Sequence, residues 1–211
     1  LGMHGNYAPN KLTNECDVLI AVGMRFDDRV TGDLSRYAKQ AKVIHLEIDP
    51  AEVDKNVKAD VAVLGDAKEA LVALGQLVER KEHQEWLQEF RKLEFEEYSE
   101  VIKEELNPSQ EQLTMGEVIR SVNDHTEGKA IVVTDVGQHQ MVSCRYAKFK
   151  QSRSLITSGG LGTMGFCLPA AIGAKFAKPN REVVAVIGDG GFQMTIQELG
   201  TIFQTKIPVK I

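Results

Sequence analysis

Residues 182–202 read EVVAVIGDGGFQMTIQELGTI and combine a strand, a turn and a helix pattern in one segment. The apolar, mostly β-branched run at 183–187 predicts a strand that is buried on both faces of a parallel sheet. A glycine-rich turn follows at 188–191, and apolar residues then recur at helical spacing from 196 to 203. This pattern predicts a βα unit of an α/β fold, with the turn at the carboxyl edge of the sheet.

The turn at 188–191 suits a charged ligand. Its glycines let backbone N–H groups approach phosphate oxygens, and the start of the following helix adds a partial positive charge. Asp189 would repel a phosphate directly, so its presence indicates a divalent cation between the two, because Mg²⁺ binds one or two carboxylates together with phosphates. An ordinary βα turn in which Asp189 caps the helix is the alternative, and the turn alone leaves both open.

The amino-acid composition limits the kinds of protein and partner that are compatible with this sequence. The chain has 211 residues, 43% hydrophobic and 26% charged, as in a globular protein with one or two domains. No apolar run approaches the roughly 20 residues that span a bilayer, and the start lacks a signal-peptide layout, so no membrane partner is predicted. A net charge of −5 without a basic stripe argues against nucleic acid. Three scattered cysteines indicate a reducing compartment, by default the cytoplasm.

Both ends of the sequence resemble the interior of a longer chain, so we expect an internal piece of a larger protein. Residues 79–106 are rich in charged side chains with a sparse apolar stripe, which predicts a connecting helix or helix pair; a partner-binding helix is the alternative. Asn107, Pro108 and Ser109 break this segment. The predicted division is a first α/β region at 1–80, a helical linker at 81–109 and a second α/β region at 110–211.

The first region carries arginines and aspartates after a strand predicted at 17–23, the second with a sequence pattern of burial on both faces. Arg25 and Arg29 flank Asp27 at the carboxyl end of that strand, where open α/β sheets bind ligands. The planar fork of arginine can donate two hydrogen bonds to one phosphate, which favours a diphosphate ligand. An Arg/Asp network that neutralises itself at the surface is the alternative.

Two further strands of this region are also followed by acids. A strand at 42–48 leads to Glu47 and Asp49, and a short strand at 61–64 leads to Asp66. Acids at strand ends commonly accept hydrogen bonds from ribose hydroxyls in nucleotide-binding sheets. We expect the three strands to form a small sheet with its ligand edge on one side. A loop predicted at 1–12 contributes His4.

The second region repeats the design with glycine-rich loops. A buried strand at 130–135 ends at Gly137, Gln138 and His139, which offer close approach and side-chain hydrogen bonds at the sheet edge. A short strand at 154–158 leads into a glycine loop.

That loop also matches a rival pattern. Gly160, Gly162 and Gly165 form GxGxxG between a strand and a helix, with Asp189 at the end of the next strand, as in a nicotinamide dinucleotide site. Two details weaken this alternative. Asp189 has glycines on both sides, which suits phosphate and metal better than ribose, and the bulk of Met164 would crowd a pyrophosphate but could support an aromatic ring.

Five stretches of the sequence together resemble one enzyme family. They are LGMHG at 1–5, GMRFDDRVTG at 23–32, TDVGQHQM at 134–141, and the stretches 157–169 and 188–200. In this order they are similar to the catalytic (large) subunit of acetolactate, or acetohydroxyacid, synthase, a thiamine-diphosphate-dependent family. Glyoxylate carboligase and pyruvate oxidase, which belong to the same class, are alternatives. Val142 departs from the family, which usually has an aromatic residue there, and Gly191 replaces the commoner serine.

The resemblance implies a fold, cofactors and binding residues. The fold is two partial doubly wound parallel-sheet domains, an FAD-binding middle domain and a thiamine-diphosphate-binding domain, joined by a charged helical linker. Asp189 is implied to bind Mg²⁺. The residues implied to line FAD are His4, Gly23, Arg25, Asp27, Arg29, Glu47, Asp49 and Asp66. Those implied to line thiamine diphosphate are Gly137, Gln138, His139, Gly162, Met164, Gly188, Gly190 and Gly191.

The resemblance also implies an activity. Pyruvate would be decarboxylated on thiamine diphosphate, and its two-carbon unit would be joined to a second 2-keto acid, pyruvate or 2-oxobutyrate. The products would be 2-acetolactate or 2-aceto-2-hydroxybutyrate, on the route to branched-chain amino acids, with FAD structural. A homodimer or homotetramer, with a possible regulatory small subunit, is implied. The activating glutamate is implied to lie outside these residues, so the chain alone is expected to be inactive and no catalytic residue is assigned.

Overall fold

A computed structural model describes residues 1–3, 5–109 and 111–211, and His4 and Gln110 lie outside the described residues. The chain divides into two units, Leu1–Glu100 and Val101–Ile211. The described strands of the first unit are β1 (Val18–Val22), β2 (Lys42–Glu47) and β3 (Val61–Leu64). Its helices are α1 (Tyr7–Thr13), α2 (Asp28–Thr31), α3 (Ala67–Leu77) and α4 (Gln84–Glu97), the last followed by a π-helical turn at Tyr98–Ile102.

The first unit contains a parallel sheet with the strand order β1-β2-β3. Ile20 pairs with Ile44, and Ile44 with Val61, so the three strands end at the same edge. Gly23, Glu47 and Gly65 are at or directly after those ends. This confirms the predicted parallel α/β sheet and its common edge.

The two faces of this sheet differ in burial. One face packs Ala21 and Val43 against Phe26, Tyr37 and Ala38 to form a core. On β1 the alternate side chains of Val18, Ile20 and Val22 are 40–47% exposed. The prediction that this strand is buried on both faces is therefore wrong within the described part of the chain. Hydrophobic periodicity shows that a strand has an apolar face, but not which element covers that face.

A second cluster forms where α1 packs on α4. Ala8 and Leu12, one helical turn apart, are buried against Leu93, with Trp86 and Phe90 beside them. The sequence predicts a loop at 1–12, and the structure instead has a helix from Tyr7. A single apolar pair is too short a pattern to indicate a helix, since the stabilising contact comes from α4.

The second unit holds another parallel sheet, in the order β5-β4-β6. Its described strands are β4 (Ile131–Thr134), β5 (Leu155–Ile156) and β6 (Val183–Val186). Its helices are α5 (Lys103–Leu106), α6 (Met115–Thr126), α7 (Gln138–Tyr146), α8 (Cys167–Ala177), α9 (Asp189–Met194) and α10 (Leu199–Thr205), with a short 3-10 turn at Ile196–Glu198 before α10. The predicted strands and the helical segment predicted from residue 196 are confirmed. The glycine-rich turn predicted at 188–191 is shorter than expected, because Asp189, Gly190 and Gly191 already form the first turn of α9.

The core of this unit lies between the sheet and α8. Ala171 and Ala174 let the helix pack closely on Val133 and Val183, and β4 is buried along its whole length. Burial raises the pKa of Cys167, the first residue of α8, to about 12, and its thiol donates a hydrogen bond to the Val133 carbonyl at 3.1 Å. The position of α8 is therefore fixed at its first residue, close to the carboxyl edge of the sheet.

The opposite edge is held by one arginine. Arg181 donates hydrogen bonds to the carbonyls of Lys129 (2.8 Å) and Ala130 (3.3 Å), and to the Ser154 hydroxyl (2.7 Å). These groups precede β4 and β5, and Arg181 itself precedes β6. The three strands are thus tied together at their amino ends, which leaves their carboxyl ends to carry the loops.

No helix among the described residues is long and apolar enough to cross a lipid bilayer.

Candidate functional site

The loops that follow β4, β5 and β6 lie at one edge of the second unit. Because the three strands are parallel and in register, the segments 135–139, 157–165 and 188–191 leave the sheet on the same side. Contacts between these segments, described below, show which of the predicted site residues come together.

His139 joins two of the loops. Its ring lies so close to the backbone that a Cβ atom built on Gly137 or on Gly188 would fall 3.1–3.2 Å from the ring carbon Cε1. A side chain at either position would crowd the ring, and Gly137 also has a φ of +144°, which L side chains rarely adopt. The turn after β4 and the turn after β6 are thus in contact through one imidazole.

The imidazole has an unused hydrogen-bonding group. Its Nε2 atom is buried and makes no hydrogen bond with any described residue. Burial lowers the pKa of His139 below its usual value of 6.5, and the negative charge of Asp135 opposes part of that shift. The ring is therefore neutral near pH 7 and can exchange a hydrogen bond with a ligand.

Met164 connects the glycine loop to the turn after β6. A Cβ atom on Gly190 would lie 3.4 Å from the Met164 methyl carbon, and the Met164 side chain is 48% exposed. Gly162, two residues earlier, has a φ of +62°, which favours glycine. An exposed thioether beside a glycine turn can support an aromatic ring.

Asp189 is the first residue of α9 and is exposed. Gly188 occupies the N-cap position, and the helix has no side-chain cap, so the alternative in which Asp189 caps the helix is not what the structure shows. Within residues 1–3, 5–109 and 111–211, its carboxylate takes part in no hydrogen bond or ion pair. The same residues contain no cluster of three His, Cys, Asp or Glu side chains that could hold a metal. A cation at Asp189 would therefore need oxygen ligands other than a cluster of such side chains.

Asp135 was missed by sequence reasoning. It directly follows β4, is fully buried, and accepts hydrogen bonds from the backbone N–H groups of Val136 (2.8 Å), Gly165 (3.0 Å) and Cys167 (3.3 Å). An acid after a buried strand was the available signal. The N–H groups of Gly165 and Cys167 that bind it, however, lie 30 and 32 residues later in the chain, where sequence patterns do not show a contact.

The position of Asp135 weighs against the dinucleotide alternative. In a GxGxxG site, the pyrophosphate binds the backbone N–H groups of the glycine loop and of the helix that follows it. Here the N–H groups of Gly165 and Cys167, at the start of α8, bind the Asp135 carboxylate. A second anion at that place would be repelled.

A hydroxyl and amide network orients α7 at the same edge. Thr134 donates a hydrogen bond to the Thr157 hydroxyl at 2.9 Å, and the Gln140 side-chain amide donates to the same oxygen at 2.8 Å. Gln138, the first residue of α7, is exposed. The network therefore holds Gln138 and His139 at the carboxyl edge of the sheet.

The edge of the first unit is arranged differently. Arg25 pairs with Asp27 at 2.6 Å, Arg29 pairs with Asp28 at 2.7 Å, and the two arginine side chains stay 50% and 63% exposed. Partial burial would raise the pKa of Asp27, but its hydrogen bond with Arg25 and the charge of Arg25 lower it below its usual value. The Arg/Asp network expected as an alternative is thus present, and both arginine side chains remain at least half exposed.

The other predicted acids of this unit serve the local backbone. Glu47 accepts hydrogen bonds from the N–H groups of Ile48 and Asp49, at 2.9 and 3.1 Å. Asp49 accepts from Ala51 at 2.9 Å, and Asp66 caps α3. These carboxylates shape the turns that follow the strands.

Sequence reasoning also missed the residues that hold the 23–29 loop. Phe26 is buried with a φ of +50°, and its ring packs edge-on against the fully buried His45 at 5.0 Å. His45 Nε2 lies 2.9 Å from the Met24 carbonyl. Gly23, at the start of the loop, has a φ of +60°. The backbone on both sides of Arg25 is therefore fixed by packing.

A cavity of about 620 Å³ adjoins this loop, lined by parts of α1, by residues 1–3 and by Asp28, Arg29 and Tyr37. The Tyr37 hydroxyl is buried and has no hydrogen-bond partner among the described residues. A ligand that reaches this cavity would meet Arg29.

Comparison with known proteins gives the same assignment from both halves of the chain. The family model for the thiamine pyrophosphate enzyme central domain matches residues 1–74, and the one for the C-terminal thiamine-pyrophosphate-binding domain matches residues 135–211. Among individual relatives, the acetolactate synthase large subunit of Lactococcus lactis is 46% identical over 211 residues. The probable acetolactate synthase large subunit of Methanocaldococcus jannaschii is 46% identical over 221 residues.

The chloroplastic acetolactate synthase of Arabidopsis thaliana is 42% identical over 222 residues. All three alignments include 100% of this chain, but only 36%, 36% and 32% of the respective relatives. The chain therefore spans about a third of the length of the curated relatives it matches.

Proposed function

The chain belongs to the thiamine pyrophosphate enzyme family, and from that premise we propose that the full-length protein is an acetolactate synthase catalytic subunit. It decarboxylates pyruvate and transfers the two-carbon unit to a second 2-keto acid, pyruvate or 2-oxobutyrate. The products are 2-acetolactate and 2-aceto-2-hydroxybutyrate, precursors of branched-chain amino acids. The similarity to acetolactate synthase large subunits along the whole chain supports this proposal.

One structural observation carries the proposal. The loops after β4, β5 and β6 approach one another through His139 and Met164, beside the exposed carboxylate of Asp189. A carboxylate that bonds to none of the described residues, next to glycines where a side chain would be crowded, suits a metal-bound diphosphate. The buried and unpartnered Nε2 of His139 adds a polar contact for the same ligand.

Each residue at this edge has a distinct role in the proposal. Asp189 binds Mg²⁺, and Gly188, Gly190 and Gly191 let the backbone come close to the diphosphate. Gly137, Gln138 and His139 border the cofactor on the β4 side. Gly162 and Met164 border it on the β5 side, with the thioether against the aminopyrimidine ring.

When bound, thiamine diphosphate supplies the carbanion that adds to the keto carbon of pyruvate and makes the loss of carbon dioxide possible. The residues of this chain bind and orient that group. His139 is neutral near pH 7, so it can hold a proton on one ring nitrogen without adding a charge. The apolar surface of Met164 helps to exclude water from the ring it contacts.

We propose that the first unit binds FAD in a structural role. Arg25 and Arg29 place two partly exposed guanidinium groups at this edge, and guanidinium groups bind phosphate in a bidentate manner. Asp27 holds Arg25 in place, and Gly23 lets the backbone turn beside it. Glu47, Asp49 and Asp66 follow further along the same edge, and His4, outside the described residues, completes the set.

The domain assignment stays a proposal. Residues 1–80 would be the C-terminal part of the middle domain, 81–109 a helical linker, and 110–211 the N-terminal part of the thiamine-diphosphate-binding domain. A homodimer or homotetramer, a regulatory small subunit and a cytoplasmic location are proposed on the same basis. Several relatives are named large subunits, which implies a small subunit in those proteins.

The proposal is tested with the purified full-length protein. Acetolactate formation from pyruvate is measured with and without Mg²⁺ and thiamine diphosphate, after removal of bound metal and cofactor. We expect product only when both are present. A rate that does not respond to either addition would end the proposal.

A further inference from the structure

Asp135 is a carboxylate in the interior of the second unit, and backbone N–H groups surround it. It is 0% exposed, and Val136, Gly165 and Cys167 donate to it at 2.8, 3.0 and 3.3 Å. Among the described residues, no lysine or arginine forms an ion pair with it. Hydrogen bonds from backbone N–H groups to a charged acceptor are strong, so the loops hold the carboxylate in place without a cationic side chain.

The same carboxylate also contacts the turn after β6. A Cβ atom on Gly191 would fall 2.7–2.9 Å from the carboxyl carbon and both oxygens of Asp135. Contacts this short do not occur between real atoms, so Gly191 leaves just enough room for the acid. Asp135 therefore touches its own loop, the start of α8 and the start of α9.

The helices α8 and α9 both begin at this edge after glycine-containing segments. They differ in which groups accept hydrogen bonds from the N–H groups at their starts. At α8, the N–H groups of Gly165 and Cys167 are already bound to Asp135. At α9, the exposed Asp189 is the first residue, and no described side chain caps the helix. An incoming anion would thus find the start of α8 filled by a negative charge that the chain itself supplies.

We propose that Asp135 is a positioning and specificity-determining residue of this site. Its carboxylate takes the place of an anion at the start of α8, holds the 160–165 loop against α9, and keeps phosphate out of the GxGxxG sequence. A diphosphate is then accepted only at the 188–191 turn. This last statement rests on the proposed function, whereas the positioning of the loop does not.

The positioning role is tested by removing the Asp135 carboxylate through mutation and supplying a free carboxylate in solution. Hydrogen–deuterium exchange at the Gly165 and Cys167 amides is measured in the full-length protein without cofactor, in wild type and in Asp135→Ala. We expect exchange at least about tenfold faster in the variant, since a hydrogen bond to a charged group contributes that much or more. Sodium formate should restore protection, whereas formamide and sodium chloride at equal concentration should not.

Unchanged exchange in Asp135→Ala, or equal effects of formate and formamide, would overturn the positioning role. If the alanine variant does not fold, Asp135→Asn is the second test. Asparagine keeps one acceptor oxygen and leaves no cavity, so intermediate exchange without formate rescue is expected. Protection equal to that of wild type would show that the charge is not needed.

The specificity role is tested with inorganic phosphate as the probe. Phosphate should slow exchange of the same amides in Asp135→Ala and leave wild type unchanged, and its lack of effect in the variant would refute the exclusion of phosphate. Thiamine diphosphate binding is measured in parallel. Failure of wild type to bind it would refute the proposed function, while the exchange results would still decide the role of Asp135.

Discussion

The dipeptide Gly-Asp follows a parallel strand in both units, at Gly65–Asp66 and at Gly188–Asp189, and the two aspartates behave differently. Asp66 is the N-cap of α3 and accepts hydrogen bonds from the N–H groups of Lys68 and Glu69 at 2.9 and 3.3 Å. Asp189 lies one position later, inside the first turn of α9, where Gly188 takes the N-cap position. Its carboxylate makes no contact of this kind with the described residues.

The difference shows that an acid after a strand can have either of two roles. The local sequence, Gly-Asp in both units, does not distinguish them. An N-cap carboxylate satisfies N–H groups that the helix leaves unpaired, and it stabilises the fold. A carboxylate displaced by one residue cannot reach them and stays exposed. Asp66 thus contributes to the stability of the first unit, whereas Asp189 remains available for a cation.

The largest effect on stability is expected at the turn after β6, and it sharpens the comparison. Gly191→Ala should lower the free energy of unfolding by about 1–3 kcal/mol, because its Cβ would overlap the fixed carboxylate of Asp135. Gly200→Ala in α10 is the matched control, since nothing lies within 4 Å of its added Cβ. That control should be neutral or gain up to about 1 kcal/mol from helix propensity.

Thermal and denaturant unfolding of the full-length variants measure both changes. Equal stability of the two alanine variants would show that Asp135 does not constrain the turn, and that the turn after β6 is no more restricted than an open helix position.

An intermediate effect on stability is expected when Asp66 and Asp189 are each replaced by alanine in separate variants. Asp66→Ala should destabilise the start of α3 by about 1 kcal/mol through loss of the cap. Asp189→Ala should change stability by less than about 0.5 kcal/mol, as for an exposed residue without partners. Hydrogen exchange at the first amides of α3 and α9 measures each local opening. If Asp189→Ala lost as much stability as Asp66→Ala, the two aspartates would not differ in role.

The smallest effect is expected from His139, and it depends on pH. Because burial lowers its folded-state pKa below 6.5, the unfolded chain binds a proton first as the pH falls. Its contribution to stability is therefore complete above about pH 6.5 and is lost as the pH falls toward the folded-state pKa. His139→Gln should flatten the stability profile in that window. A profile identical to wild type would contradict the burial of a neutral imidazole.

The sequence allowed the strands and most helices to be predicted, and it identified the edge at which the loops gather. The β-branched runs before Asp135 and Asp189 indicated β4 and β6, and the glycines indicated where the backbone turns. These signals are local, since they depend on side-chain periodicity and on backbone freedom over a few residues.

The missed features depend on contacts that are distant in the sequence. The role of Asp135 depends on N–H groups 30 residues later, and α1 depends on Leu93 of α4. The exposed face of β1 was missed for the same reason, because burial depends on what lies against a strand. In the same way, Asp66 is an N-cap and Asp189 is not, because α3 begins after its Gly-Asp pair whereas α9 begins within it.

Cofactor binding at this site depends most on whether Asp189 holds a divalent cation that binds a diphosphate. Isothermal titration calorimetry of thiamine diphosphate into the metal-free full-length protein, with and without Mg²⁺, measures this directly for wild type, Asp189→Asn and Glu182→Gln. Glu182 is an exposed acid at the opposite end of β6, so it controls for the loss of one charge. We predict Mg²⁺-dependent binding in wild type and Glu182→Gln, and a loss of affinity of at least about 100-fold in Asp189→Asn, because losing a ligand should cost no less than losing an outer-shell partner. Equal affinity of all three proteins in Mg²⁺ would contradict the account.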